Sequence, residues 1–165
     1  MMIIKNELPL NSRVWVYQAS RKFSAPELDQ VQEELDVFVA GWEAHNVLLK
    51  AKGEIFYDQF IVLFVDEKNQ NATGCSIDKS VAFIKSIEQK LGIELMNRML
   101  LTYRDEKEVI QTLTMQAFQS EVQAGKITPE TMVFNNLVGT KKEFIEGWEV
   151  PAKNSWHKNL FALVK

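Results

Sequence analysis

Residues 54–67, EIFYDQFIVLFVDE, constrain the fold more than any other stretch of the chain. Aromatic and β-branched residues fill it and only Asp58-Gln59 interrupts it, so it reads as the tip and second arm of a β-hairpin. That second arm, FIVLFV, is six apolar residues without alternation. A strand with one wet face alternates; a strand that does not is covered on both faces and sits inside a sheet. The run is too short for a membrane span, which takes about 20 apolar residues, and Asp66 closes it.

Other elements can be placed around this strand. Residues 13–19, RVWVYQA, alternate around Val14 and Val16 and predict a first strand. Ser24-Ala25-Pro26-Glu27 is a capping box with proline in the first turn. Leu28, Val31, Leu35, Phe38 and Trp42 follow at helical spacing, so the first helix is expected to reach Trp42. Strands are predicted at 47–57 and 60–66, and a second helix at 77–91 with Ser76 as N-cap and Gly92 as its left-handed C′ residue. MLLTY, residues 99–103, predicts a fourth strand. The order is then βαββαβ, the ferredoxin-like arrangement of a four-stranded antiparallel sheet with both helices on one face.

Asp105-Glu106-Lys107-Glu108 reads as another capping box, opening a helix over 106–124 that Gly125 ends. Beyond Pro129 the signals weaken. MVFNNLV and KEFIEGWEV fit a hairpin turning at Gly139-Thr140, and SWHKNLFALV fits either a helix or a strand. The expected whole is an α+β fold: a single domain over residues 1–165, with a ferredoxin-like core at 13–104 and a C-terminal α/β extension, the helix and tail of 105–165, packed on it.

Composition excludes several functions. At 165 residues folding buries on the order of 70% of the unfolded chain's surface, enough to need no staple, and a single Cys allows no internal disulfide. Net charge is −3 and no block of like charge reaches the ~5 residues of an interaction tail, so nucleic acid is not an expected partner. The start, MMIIKNELPL, lacks the basic and apolar regions of a signal peptide, and the expected location is cytoplasmic. The sequon at Asn71 matters only in a secreted protein.

The chemistry-bearing candidates are few. In NQNATGCSIDKS, residues 69–80, the only cysteine stands where a polar loop enters a helix. Amides and dipole at such a place bind anions and activate thiols, so Gly74, Cys75, Ser76 and Lys79 form a candidate anion site and Cys75 a candidate nucleophile. A nucleophile needs a base, and His45 and His157 are the only imidazoles. The plainer reading makes Ser76 the cap, Asp78 a dipole-matched acid and Cys75 a bystander just outside the helix. His45 then caps the end of the first helix, with Trp42 in its core stripe. Trp42 with His45 and Trp156 with His157 are two aromatic–imidazole pairs that would line one pocket if the tail folds back. Asp58 and Asp66-Glu67-Lys68 resemble a metal-dependent nuclease pattern, but the same triplet recurs at 105–107. One Cys and two distant His do not make a zinc site, and neither metal nor cofactor is expected.

VWVYQASRKF, WEAHNVLLKA, FIVLFVDE and above all GCSIDKSVAFIKSIEQKLGIEL resemble an uncharacterised family of small bacterial proteins of about this length, over residues 13–103. Members often carry the label "ABC transporter ATPase". These residues do not support it, because the Walker A pattern GxxxxGK[ST] occurs nowhere. The resemblance implies a shared fold and a shared site around residues 74–80, and no activity. The expectation is a non-enzymatic domain binding a small ligand or a protein partner, including a second copy through a sheet edge or aromatic patch. A thiol-dependent or anion-substrate enzyme at Cys75 is the alternative, and a metal-dependent nuclease the third reading.

Overall fold

In the computed structural model, which describes residues 3–162, the FIVLFV run is the middle strand of a three-stranded antiparallel sheet. By contact the chain divides into two compact units, Met1–Met96 with Gly139–Lys142 and Asn97–Val138 with Glu143–Lys165. The first holds β1 (Arg13–Gln18), α1 (Ala25–Ala40), β2 (Glu43–Ala44), β3 (Val47–Leu48), β4 (Lys50–Phe56), β5 (Phe60–Asp66) and α2 (Gly74–Leu91). The second holds β6 (Leu100–Arg104), β7 (Ile110–Thr114), α3 (Met115–Gln123), β8 (Met132–Phe134) and β9 (Glu149–Pro151). The short helix α4 (Lys141–Gly147) has its first two residues in the first unit and the rest in the second. Among the described residues no helix is long and apolar enough to cross a membrane.

In the first unit the strand order is β1-β5-β4, with Trp15 opposite Leu63 and Gly53 opposite Leu63 on the other side. All seven residues of β5 are buried, as its lack of alternation demands. Burying its six apolar side chains is worth on the order of 10 kcal/mol before chain entropy is subtracted. Ile61, Leu63 and Val65 pack in one cluster with Val31 and Leu35 of α1 and Ile84 and Ile87 of α2. Phe60, Val62 and Phe64 are buried on the opposite face.

The capping box of α1 is present: Glu27 N donates to Ser24 Oγ (3.4 Å) and Ser24 N to Glu27 Oε1 (2.8 Å). Arg21 forks onto the same carboxylate at 2.8 and 3.0 Å. That guanidinium, with the Ser24 amide second, holds the Glu27 carboxyl down at about 2. The helix stops at Ala40, short of Trp42, whose fully buried ring belongs to the core cluster.

Four expectations are corrected. The strand expected over 47–57 is broken at Leu49, whose N–H donates to Trp42 O (2.9 Å). Its first part pairs instead with Glu43–Ala44 in a hairpin that turns at His45 and Asn46, both left-handed at φ 52° and 63°. The second helix starts at Gly74 rather than residue 77, because Thr73, not Ser76, is the N-cap. The helix expected over 106–124 is only Met115–Gln123. Asp105 does not cap a helix; its Oδ1 accepts from Lys107 N (2.8 Å) and Val109 N (3.0 Å), closing a turn into β7. The expected hairpin turn at Gly139-Thr140 is replaced by α4, although the two flanking segments do pair, Val133 opposite Val150.

The second unit is a four-stranded antiparallel sheet of order β7-β6-β8-β9 around Leu101, Phe118, Val122, Ile127 and Val133. Arg104 is ion-paired to Glu149 within it. The strand at 100–104 thus pairs with β7 and β8, not with β1. Antiparallel sheets and helices make an α+β fold, and the single four-stranded ferredoxin-like sheet is not confirmed. The SWHKNLFALV segment begins as a 3₁₀ turn, Trp156–Leu160; Leu163 and Val164 lie outside the described residues.

Candidate functional site

The amino-terminal turn of α2 shows what the loop chemistry does. Thr73 Oγ1 accepts from Ser76 N (3.2 Å) and Ser76 Oγ accepts from Thr73 N (2.7 Å), a reciprocal box that uses both hydroxyls. Ser76 is buried and its carbonyl accepts from the indole Nε1 of Trp42 (2.7 Å). Glu67 Oε2 accepts from Ala72 N (2.8 Å), fixing the entry to the turn. The expected anion group therefore splits: Gly74, Cys75 and Lys79 are exposed on the first turns of α2, while Ser76 is turned inward as structure. Cys75 lies inside the helix at its second position, not outside it. A Cβ placed on Gly74 meets nothing within 4 Å, so no close backbone approach explains that glycine.

The two histidines differ in setting. His45 is not at the end of a helix; it is exposed at the tip of the β2–β3 hairpin, and among the described residues no hydrogen bond joins it to Cys75. His157 is 1% exposed in the second unit. Its Nδ1 shares a hydrogen bond with Ser155 Oγ (2.7 Å), and its ring stacks on Trp156 at 4.0 Å. Burial pushes its pKa down to about 4, so it is a neutral imidazole at pH 7.

The carboxylates do not converge. Asp58 precedes β5 and Asp66 ends it, about 20 Å away at ~3.3 Å per residue. Asp66 Oδ1 accepts from Lys68 N (3.0 Å) and Oδ2 lies 3.9 Å from Lys50 Nζ, so its role is local. Among the described residues no three His, Cys, Asp or Glu side chains are placed to hold a metal ion.

A different surface stands out, on the outer edge of β4. An open groove of about 360 Å³ is lined by Lys5, Asn6, Gln32, Asp36, Lys52 and Glu54, with Ile3 and Ile55 supplying apolar wall. Its floor is set by Gly53: a Cβ there would stand 2.6 Å from Leu35 Cγ, so the glycine lets α1 lie close on β4. One wall is the amino-terminal strap. Lys5 N and Asn6 Nδ2 donate to the two oxygens of Glu54 at 2.6 and 2.5 Å. The buried Lys141 ammonium donates to the carbonyls of Asn6 (3.0 Å) and Leu8 (2.6 Å) and to Asn6 Oδ1 (3.2 Å). β4 pairs with β5 on one side only, and among the described residues no backbone hydrogen bond leaves residues 50–55 on the other.

Sequence reasoning expected binding through a sheet edge or aromatic patch but did not place it on β4, although KAKGEIF carries the signal, with lysines and a glycine in a short strand as edge strands do. The chain matches no family model, no curated protein and no solved structure.

Proposed function

We propose that this chain is a cytoplasmic, non-enzymatic α+β domain that binds a small polar ligand or a protein partner at the groove beside β4. One observation carries the reading: unpaired strand backbone lies next to a concavity whose charged side chains include Lys52, which has no ion-pair partner among the described residues. Backbone amides and carbonyls in a row, with a few charged groups at the rim, suit an extended or polar ligand. Cys75 and His45 are each exposed on its own element, and among the described residues no hydrogen bond joins them.

The test is a thermal-shift screen of metabolites and extended peptides on the wild type and Lys52→Ala. A ligand held at 100 times its Kd stabilises by about 2.7 kcal/mol, and that shift shrinks in the variant. Turnover of any substrate, abolished by one side-chain change, overturns the reading.

A second reading has one observation in its favour, the exposed thiol of Cys75 within the first turn of α2, where helix amides act on an anion. It predicts selective alkylation of the native protein. A rate no faster than that of a free-thiol peptide removes it.

A further inference from the structure

We propose that the occupant of the β4 edge is a second copy of this chain, paired antiparallel about a two-fold axis at Gly53, so that two three-stranded sheets become one continuous sheet. The inference rests on the reading that the β4 surface is a binding surface, and it names the partner. Three observations support it.

The first is the free edge itself. Residues 50–55 offer a row of backbone donors and acceptors with no strand beyond them among the described residues, and such an edge is a template for another strand. The groove next to it leaves room, and the wall residue Ile3 is 74% exposed.

The second is the register. With Gly53 opposite Gly53, Lys52 of each copy lies opposite Glu54 of the other, Ala51 opposite Ile55, and Lys50 opposite Phe56. A two-fold axis makes every pair occur twice, so two Lys–Glu pairs form, on the sheet face from which Val62 also projects. Shifting the register by two residues one way places Lys52 opposite Lys52. Shifting it the other way places Glu54 opposite Glu54. Directly opposed like charges are unfavourable, so the charge pattern selects the glycine-centred register.

The third is the state of those charges in the single chain. Among the described residues, Lys52 is exposed with no carboxylate within ion-pair distance, and Glu54 accepts hydrogen bonds only from the amide of Lys5 and the neutral Asn6. Lysines on edge strands usually keep strands apart. Here the lysine meets an acid two residues along its own strand, in the copy across the axis.

The experiment measures association by analytical ultracentrifugation over a concentration series, in low and high salt. It compares the wild type with Lys52→Glu, Glu54→Lys and the double exchange. Lys52 is exposed, so K52E leaves the fold intact; unchanged circular dichroism and melting of the monomer verify this. The expected result is a reversible dimer that weakens with salt, a Kd raised about tenfold or more in K52E by two new Glu–Glu oppositions, and recovery to within a few-fold in K52E/E54K. A wild type that stays monomeric, or a dimer indifferent to K52E and not rescued by the exchange, overturns the inference. In the first case a Lys52-dependent thermal shift with a metabolite or peptide leaves the binding reading standing. No such shift brings both down.

Discussion

Gly53→Ala tests the packing that places α1 against β4 and so shapes the groove. An alanine Cβ at this position would sit 2.6 Å from Leu35 Cγ, 2.7 Å from Cδ1 and 2.9 Å from Cδ2. Leu35 is fully buried in the cluster with Val31, Leu63 and Ile84, so its branch cannot swing away cheaply. Overpacking of this kind costs about 1–3 kcal/mol, partly offset by the ~0.5–1 kcal/mol that alanine gains over glycine within a strand. A net loss of about 1–2 kcal/mol is expected, or roughly 2–6 °C in Tm for a chain of this length. Urea unfolding reads it as a lower midpoint at unchanged m. The cause is separable by a cycle with Leu35→Ala. That change alone costs about 2–5 kcal/mol by leaving a cavity, and in its background G53A becomes neutral or stabilising because the methyl enters the vacated space. An unchanged or raised stability of G53A alone refutes the close approach of α1 to β4.

The remaining predictions concern the histidines and the α2 entry. His157 is held neutral by burial, at about 4 against 6.5 in the unfolded chain, so its contribution is whole above pH 6.5 and is lost as pH falls towards 4. Between pH 7 and 5 this amounts to about 2 kcal/mol, a slope that His157→Gln removes; equal slopes in the two proteins contradict it. His45→Asn with Asn46→Gly relieves two left-handed residues and raises stability by about 0.5–1 kcal/mol in thermal melts, and a loss contradicts the two-residue turn. Gly74→Ala stays within about 0.5 kcal/mol of wild type and leaves the alkylation rate of Cys75 unchanged, since the space there is open; a marked drop in either points to a role for that glycine.

Local signals were legible wherever one interaction dominated. The unbroken apolar run of β5 could be satisfied only in the middle of a sheet, and the Ser24–Glu27 box with Pro26 could begin only a helix. Ambiguity arose where two local patterns competed. Asp105-x-x-Glu108 satisfies the capping-box pattern, yet the aspartate binds two amides of a tight turn in which Glu108 is left-handed, and Ile110–Thr114 continues as a strand. Thr73 and Ser76 both had the chemistry of an N-cap, and the reciprocal bonding between them was visible only in three dimensions. The sheet order was beyond reach for a different reason. Nothing local says whether residues 100–104 pair with β1 or with β7, although β4, paired only with β5, is an edge strand in either order. The groove depends on the amino-terminal strap and α1 flanking that edge, which no local pattern shows, so the binding surface was the least legible part of the candidate site.

Amide hydrogen exchange across β4 and β5 tests the central claim most directly. In dilute K52E, β5 should be protected throughout, while alternate amides of residues 50–55 exchange quickly and become protected in concentrated wild type. Uniformly slow exchange along β4 in the dilute protein would mean that its outer edge is already covered, and the binding surface argued here would not exist.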